Sequence, residues 1–288
     1  MAFNEYGRIE QLAIRPAQAA FRDQAKATAE WQDLRFHAEP DVEEAFREYE
    51  TLLSIYENAG ISLHKLPADN SLTLDAIYVR DAAIISPNGL ILCNMGRESR
   101  NNEPAIHGEI LASKGINVLG RIEAPGKVEG GDFIWLNEKA AAVGLGPRTN
   151  EEGIRQLHGL LGEDVDLHVV PLPAPDHPDD VFHLMSMISP VDADLAVIYR
   201  PLMPQSFLDW LDGHGLGYVE VPEEEFLPMG CNVLAIAPRE VVMLDRLPET
   251  KRRLEAAGCK VHVYKGDEIS RKGEGGPTCL TRPLVRSA

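Results

Sequence analysis

A glycine followed by a short β-branched run recurs along this chain at intervals of about 50 residues, a spacing typical of repeat architectures. In each copy the glycine closes a helical stretch. Glycine suits that position because it adopts the left-handed conformation that ends a helix without strain. The repetition therefore predicts a fold built from equivalent units. The five copies lie at residues 59–63, 114–118, 162–167, 215–219 and 258–263.

Each unit is expected to hold two short strands, an amphipathic helix and a third strand. The second unit would place its first strands at 76–79 and 90–93. The fourth and fifth units show the same order most clearly. Their elements are predicted as strands at 194–199 and 217–221 around a helix at 204–211, and as strands at 232–236 and 241–244 before a helix at 248–257.

Five ββαβ units favour a closed, pseudo-symmetric ring with five α/β blades, because closure hides sheet edges that would otherwise invite aggregation. We predict a single domain over residues 1–288. The first strands of the units would meet at a central mouth. The proline-rich stretch 171–178, including His177, is interpreted as a loop over that mouth. The alternative is an ordinary mixed α/β domain with coincidental spacing.

Charge and composition limit the partners. The formal net charge of −17 argues against nucleic acid and anionic membranes, and is compatible with a small cationic substrate. The chain contains no run of about 20 apolar residues and no basic start followed by an apolar stretch, so neither a membrane span nor a secretory signal is predicted. The four cysteines are scattered and lack zinc-site spacing. We therefore expect a cytoplasmic protein without a metal.

Four unusual polar segments fall at matching places, each beside a predicted first strand. If these strands converge, the segments would line one pocket, which is the usual setting of a binding site. The segments are Asp-Ala-Ile-Tyr-Val-Arg-Asp at 75–81, Glu-Gly-Gly-Asp at 129–132, Phe-His-Leu at 182–184 and Gly-Gly-Pro-Thr-Cys at 275–279.

In this order, with the cysteine near the C-terminus, the segments resemble those of the guanidine-modifying superfamily. It includes arginine deiminases, dimethylarginine dimethylaminohydrolases and amidinotransferases. The similarity runs from about Tyr6 to the end of the chain. It implies the five-bladed α/β propeller of the pentein type, which agrees with the repeat. It also implies a covalent thiouronium intermediate, a ureido product, and no metal or organic cofactor.

The residue types fit that chemistry. A guanidinium carbon is a poor electrophile that carboxylates can hold in place for attack by a thiolate. We predict Cys279 as the nucleophile and His183 as the general acid/base that protonates the leaving amine. Glu129 would accept a hydrogen bond from His183 and orient it. Cys93, Cys231 and Cys259 lie in or beside apolar runs and are expected to be inert, buried thiols. 

Five further residues are predicted to bind the substrate. Asp81 is the candidate for gripping the guanidinium, and Asp75, six residues earlier, would share its strand face. The resemblance to dimethylarginine hydrolases implies that Asp75 meets the substrate amino group. It also implies that Arg100 and Arg148 hold the substrate carboxylate, a pairing that arginine makes with two parallel hydrogen bonds. Asp132 either faces the substrate or braces the glycine turn.

Two positions depart from the family patterns. Met185 stands where arginine deiminases carry an aspartate that binds the free guanidinium, which favours a substrate with an alkylated nitrogen. Arg80 stands where dimethylarginine hydrolases usually have a carboxylate, and this position looks more like the deiminases. The chain is too short for the helical insertion of the deiminases. We therefore expect hydrolysis of N-methylated arginine or arginine to citrulline.

Other functions remain open. An arginine deiminase, another guanidine or ureido hydrolase, or an amidinotransferase would use the same covalent chemistry. The propeller fold also serves as a ribosome-associated translation initiation factor, and a propeller that only binds a cationic amino acid is a further non-enzymatic alternative. The sequence leaves the oligomeric state open, with a homodimer among the compatible states.

Overall fold

The computed structural model describes residues 2–174 and 182–287, which fold around five three-stranded sheets. In each sheet the middle strand pairs antiparallel with one neighbour and parallel with the other. The strands are β1 (Arg8–Ile14), β2 (Ser62–Lys65), β3 (Ala83–Ser86), β4 (Gly89–Leu92), β5 (Val118–Arg121), β6 (Phe133–Asn137), β7 (Ala140–Leu145), β8 (Asp166–Pro171), β9 (Ile188–Asp192), β10 (Leu195–Ile198), β11 (Gly217–Glu220), β12 (Leu234–Ala237), β13 (Glu240–Leu244), β14 (Lys260–Tyr264) and β15 (Thr281–Ser287).

Helices connect the parallel strands, as a parallel pair requires a crossover. The helices are α1 (Ala17–Ala20), α2 (Gln24–Glu30), α3 (Val42–Asn58), α4 (Glu103–Ser113), α5 (Glu151–Leu161), α6 (Gln205–Gly213), α7 (Glu223–Phe226) and α8 (Pro248–Ala256). The sheet orders are β15-β1-β2, β3-β4-β5, β6-β7-β8, β9-β10-β11 and β12-β13-β14. The two ends of the chain therefore share one sheet, and each sheet repeats the predicted ββαβ order.

The helix-ending glycines are confirmed. All five have positive φ, between 76° and 102°, and for each of them an added Cβ would meet no atom within 4 Å. The backbone conformation, rather than crowding, is therefore the reason for glycine at these positions. They are Gly60, Gly115, Gly162, Gly215 and Gly258.

The sheets contact one another in sequence. Strand β15 packs against β3, β1 against β12, and β12 against β9. The second and third sheets are joined by a bridge between Asn94 and Val128, and the third and fourth by the Leu184 amide, which donates to Asp132. Apolar side chains fill the layers between sheets and helices. Each sheet thus places its first strand next to the first strand of another sheet, or next to the segment that precedes that strand. These first strands are β15, β3, β6, β9 and β12.

The first strand of the second unit was predicted wrongly. Residues 76–79 are not a strand: a 3₁₀ turn spans Leu74–Ile77, closed by the Tyr78 amide donating to Asp75 O at 2.9 Å, and β3 begins at Ala83. The expectation that Asp75 and Asp81 share a strand face is therefore wrong as well. The run from Leu74 to Val79 is buried on all sides, and a short, wholly buried run carries no periodicity that separates a strand from a turn.

In the part of the chain that the structure describes, every helix is too short or too polar to cross a lipid bilayer. Residues 175–181, which include His177 and the second half of the predicted proline-rich loop, lie outside the described residues.

Candidate active site

Polar residues from five sheets meet at one end of the fold, each just before the first strand of its sheet. Asp81 precedes β3, Asp132 precedes β6, His183 precedes β9, Asn232 precedes β12 and Cys279 precedes β15. Asp81, His183 and Cys279 line a cavity of about 550 Å³, together with Asp75, Arg97, Arg100 and Arg148. Three of the four predicted segments, 75–81, 182–184 and 275–279, therefore line one cavity, whereas no residue of 129–132 lines it.

His183 and Glu129 form a buried pair. The distance from His183 Nε2 to Glu129 Oε2 is 2.7 Å, and neither side chain is more than 6% exposed. Glu129 also accepts hydrogen bonds from the backbone amides of Gly96 and Arg97 and from Arg148 Nη1 at 3.3 Å. Four donors thus hold the carboxylate in place behind the imidazole, the arrangement expected of an orienting acid.

This pairing sets the charge state of the histidine. Burial would lower the pKa of His183, but the charges of Asp81 and Asp132 and the hydrogen bond to Glu129 raise that pKa to about 9. Burial likewise opposes the charged form of Glu129, yet the hydrogen bond and charge of His183, with Arg148, hold the pKa of Glu129 well below its usual value. The pair is therefore an imidazolium and a carboxylate at neutral pH, and the histidine carries a proton that it can donate.

The glycines of the 129–132 segment allow close approach. A Cβ on Gly131 would lie 2.8 Å from both Asp81 Oδ1 and His183 Nδ1. A Cβ on Gly130 would collide with the Arg80 carbonyl oxygen. Real Cβ contacts are never that short, so any larger residue at 131 would push the two functional side chains apart.

Asp132 is fully buried. It lines neither this cavity nor a smaller compartment that adjoins Cys279 and His183. Its carboxylate accepts from Thr149 Oγ1 at 2.6 Å and from the Leu184 amide at 3.0 Å. Burial, with the charge of Glu129, raises the pKa of Asp132 to about 6, although His183 and Thr149 oppose the shift. Of the two predicted roles, these contacts favour bracing of the glycine turn and of the segment that carries His183.

One oxygen of Asp81 lacks a hydrogen-bond partner in the part of the chain that the structure describes. Asp81 Oδ2 accepts from Arg100 Nη1 at 2.7 Å, whereas Oδ1 is buried and has no hydrogen-bond partner among the described residues. A buried acceptor without a donor is costly, and a guanidinium N–H would satisfy it. Ligand atoms of Asp81, Glu129 and His183 also lie within 4.8 Å of one another, so these three are the described residues with the spacing to hold a metal ion.

Arg100 lies behind Asp81. Its Nε and Nη2 each donate to Glu103 at 2.8 Å, and Nη2 also donates to the Tyr78 carbonyl oxygen. The family resemblance implied that the Arg100 guanidinium binds a substrate carboxylate, but this group already pairs with the carboxylate of Glu103. The observed contacts make Arg100 a support for Asp81.

Arg97, which the sequence analysis did not select, lines the cavity beside Asp75. Its Nη1 donates to Asp75 Oδ2 at 3.0 Å, and its Nη2 donates to the Leu34 carbonyl oxygen at 2.8 Å. Burial raises the pKa of Asp75, with Arg100 and Arg97 opposing the shift. Arg148 pairs with Glu129 and its backbone packs closely on Gly96. Arg97 and Arg148 therefore bring positive charge to the end of the cavity that contains Asp75.

Cys279 is held by a residue that sequence reasoning missed. Asn232 Nδ2 donates to Cys279 Sγ at 3.2 Å, and Asn232 Oδ1 accepts from the Thr278 amide at 3.0 Å and from Thr278 Oγ1 at 2.8 Å. Burial and the charge of Asp81 raise the pKa of Cys279, while Asn232 and Thr278 lower it. The signal that could have found Asn232 is its place in the repeat, just before the first strand of its unit.

The other three cysteines are buried, as expected, and burial raises their pKa values.

A second compartment of about 110 Å³ adjoins Cys279 and His183. One side of its lining is apolar, and polar groups that include Arg80, Ser186, Asn232 and Glu274 line the rest; the apolar residues are Phe182, Met185, Phe226, Leu227 and Met229. The ring of Phe226 stacks on Tyr199 with a centroid distance of 3.8 Å, which fixes part of this apolar side.

Comparison with known proteins agrees with this geometry. The family described as N,N dimethylarginine dimethylhydrolase, eukaryotic, matches residues 15–286. The chain belongs to that family, and the resemblance to the guanidine-modifying superfamily is confirmed.

Individual relatives are distant. The N(G),N(G)-dimethylarginine dimethylaminohydrolase of Pseudomonas aeruginosa is 26% identical over 248 residues, covering 84% of this chain and 89% of that protein. An arginine deiminase of Listeria welshimeri is 28% identical over 254 residues, covering 73% of this chain and 61% of the deiminase. The chain therefore spans less than two thirds of the deiminase it matches.

Solved structures share the fold. The P. aeruginosa enzyme with citrulline superposes with a TM-score of 0.76 at 23% identity, covering 95% of this chain and 98% of that one. SxtG, an amidinotransferase from Microseira wollei, superposes with a TM-score of 0.81 at 15% identity, covering 99% and 97% of the two chains. At these identities the likeness shows the fold alone.

Proposed function

We propose that this protein hydrolyses a guanidine C–N bond through a covalent adduct on Cys279, releasing an amine and a ureido product. The observation that carries the proposal is that Cys279, His183 and Asp81 line one cavity, and that Asp81 Oδ1 has no hydrogen-bond partner among the described residues. In the same proposal the five sheets are the blades of a closed propeller. That closure would bring the first strands, and the residues before them, to a common axis.

The charges define a sequence of steps. Asp81 Oδ1 accepts an N–H of the guanidinium and holds the planar carbon for attack. The positive substrate favours ionisation of Cys279; the thiol proton passes to solvent, because His183 is already protonated, and the thiolate adds to the carbon. Imidazolium His183 donates its proton to the departing amine, leaving a thiouronium on the sulfur. Neutral His183 then takes one proton from the water that adds to that carbon. The C–S bond breaks, the hydroxyl proton returns to the sulfur, and the ureido product is released.

The apolar side of the second compartment points to the substrate. Met185 lies in its wall, at the position where the resemblance places a guanidinium-binding aspartate in arginine deiminases. An alkyl group on the guanidinium nitrogen would bury apolar surface there, at about 25 cal/mol for each Å² removed from water. Against the Met185 side chain, an unsubstituted N–H would instead lose its hydrogen bonds to water without gaining an acceptor from that residue. We therefore propose an N-methylated arginine, the amino-acid end of which lies toward Asp75, Arg97 and Arg148.

The test is a product assay. Arginine and its N-methylated and N,N-dimethylated forms are incubated with the protein, and citrulline, ornithine and the released amine are measured by mass spectrometry. We expect citrulline from the methylated forms, none with Cys279→Ser, and full activity with Cys259→Ser as the matched control. Met185→Asp should shift the ratio of activities toward arginine by at least about tenfold, because the new carboxylate pairs with the free N–H.

Two rival functions give different products. An amidinotransferase would yield ornithine only when an acceptor amine such as glycine is added. A binding protein would form no adduct on Cys279 and would release no product from any substrate. Citrulline from arginine alone, with no activity toward methylated forms, would establish a deiminase and overturn the proposed substrate. The cytoplasmic location and a homodimeric state stay predictions.

A further inference from the structure

A group of buried charges lies along β15 and in the segments just before β1 and β3. It contains three arginines and one carboxylate: Arg80, Arg282, Arg286 and Glu5 are 1%, 3%, 4% and 7% exposed. We call these four residues the axial cluster. Arginine keeps its charge in proteins, so the cluster carries an excess of positive charge in a region closed to solvent. Burying uncompensated charge is among the most expensive features that a fold can contain.

The contacts of the axial cluster do not supply the missing negative charge. Arg80 Nη1 pairs with Glu5 Oε2 at 3.2 Å. Arg282 Nη2 donates to the Arg80 carbonyl oxygen at 2.7 Å, and Arg286 Nη1 donates to the Ala235 carbonyl oxygen at 3.0 Å. Carbonyl groups are neutral, so Glu5 is the one carboxylate that hydrogen-bonds to these guanidinium groups among the described residues.

Donors remain unused as well. Arg80 Nη2, Arg282 Nε and Arg286 Nη2 are buried and have no hydrogen-bond partner among the described residues. Burial and the charge of Arg80 lower the pKa of Arg282 to about 9, and burial lowers the pKa of Arg286 to about 10. Burial is the main cause of both shifts, and the charge of Glu5 opposes them without reversing them.

Two of these arginines line a small cavity. Its volume is about 20 Å³, and its walls include Glu5, Arg282 and Arg286 beside Phe3, Trp135 and Leu284. That volume admits a single particle of the size of a water molecule or a halide ion.

We propose that this cavity is a binding site for one monatomic anion, chloride in the cell. The anion accepts hydrogen bonds from Arg282 and Arg286 and supplies the charge that Glu5 alone does not. Arg80 connects this anion site to the backbone of Thr278 and Cys279. The Arg80 amide donates to the Cys279 carbonyl oxygen at 3.1 Å, and Arg80 Nε donates to the Thr278 carbonyl oxygen at 3.0 Å. The site therefore stabilises the backbone that carries the nucleophile.

Thermal unfolding of the whole protein tests the proposal. The melting temperature is measured in sodium chloride, sodium bromide and sodium gluconate at constant ionic strength, so that screening of surface charge is the same throughout. A ligand that binds the folded state raises the melting temperature with its concentration. We expect a rise of several degrees in chloride and in bromide, and none in gluconate.

Two variants locate the effect. Glu5→Gln removes the carboxylate that competes with the anion, so half-saturation should occur at a chloride concentration at least about tenfold lower. Arg286→Gln removes a donor and a charge, and should abolish the chloride-specific rise. Crystals grown in bromide should show an anomalous scattering peak between Arg282 and Arg286.

Equal melting temperatures in chloride and gluconate, together with no bromide peak, would overturn the proposal and assign the cavity to water. An equal chloride effect in the parent protein and in Glu5→Gln would also overturn it, because the ion would then bind elsewhere. If Arg286→Gln does not fold, Glu5→Gln and the anomalous peak still decide the question.

Discussion

Asn232 is expected to control the reactivity of Cys279, and its replacement tests the site without any assumption about the substrate. Its amide donates to Cys279 Sγ at 3.2 Å, and its carbonyl oxygen accepts two hydrogen bonds from Thr278. Asn232→Ala removes both functions. Asn232→Asp keeps an oxygen acceptor for Thr278 but places a negative charge where the donor was.

The magnitudes follow from these contacts. A hydrogen bond to a charged group contributes about 1.5–3 kcal/mol, so losing the donor to the thiolate should slow Cys279-dependent reactions roughly 10- to 150-fold. The bonds to Thr278 are neutral, and losing them should lower the free energy of unfolding by about 1–3 kcal/mol in the alanine variant. The aspartate variant should retain more of that stability while its thiol becomes harder to ionise.

The assay is the rate of Cys279 alkylation by iodoacetamide between pH 6 and pH 10.5, with the modified residue identified by mass spectrometry. The apparent pKa of the thiol should increase from the parent protein to Asn232→Ala and again to Asn232→Asp. Identical titration curves in all three proteins would refute the reasoning, because they would show that Asn232 does not act on the sulfur. Urea unfolding of the same proteins checks the effect on stability.

Two further predictions concern the Glu129–His183 pair. Gly131→Ala should lower turnover by at least about 100-fold while the protein still folds, because its Cβ would lie 2.8 Å from His183 Nδ1. The control is Gly159→Ala in α5, where a Cβ meets nothing within 4 Å and the change should be neutral or slightly stabilising. Normal turnover of Gly131→Ala would contradict the close approach. Because the folded-state pKa of His183 is raised to about 9, the stability it contributes is complete below pH 6.5 and is lost as the pH rises toward 9. Urea unfolding at pH 6.5, 7.5 and 8.5 should show this decline, and Glu129→Gln should flatten it; an unchanged slope would contradict the assignment.

Local rules in the sequence were enough to predict the repeat. Each helix-ending glycine is required by the backbone of its own residue, so neighbours far away in the chain do not alter the signal. The helix of the fourth unit, predicted at 204–211, is α6 (Gln205–Gly213), and that of the fifth, predicted at 248–257, is α8 (Pro248–Ala256). Features of this kind follow from propensity and capping, which act over a few residues.

The features that the sequence missed depend on contacts between sheets. The turn at Leu74–Ile77 lies in a wholly buried stretch, where alternation gives no guidance. The fork of Arg100 is occupied by Glu103, a pairing that no motif announces. Asn232 was recognised as a site residue only from its hydrogen bond to Cys279. The motifs predicted which residue types would carry chemistry, but not which side chain each of them contacts.

In the proposed reaction, the electrostatics of the site join these observations into one mechanism. The charge of Asp81 contributes to raising the pKa of His183 and, after burial, that of Cys279, so the unliganded protein holds an imidazolium beside a neutral thiol. A guanidinium bound to Asp81 Oδ1 would offset that negative charge. The thiol would then ionise more readily at the moment when its electrophile is in place, while His183, still held by Glu129, keeps the proton needed by the leaving amine. Neutral analogues such as a ureido compound leave the charge of Asp81 uncompensated, which is a physical reason for the product to be inert at the same site.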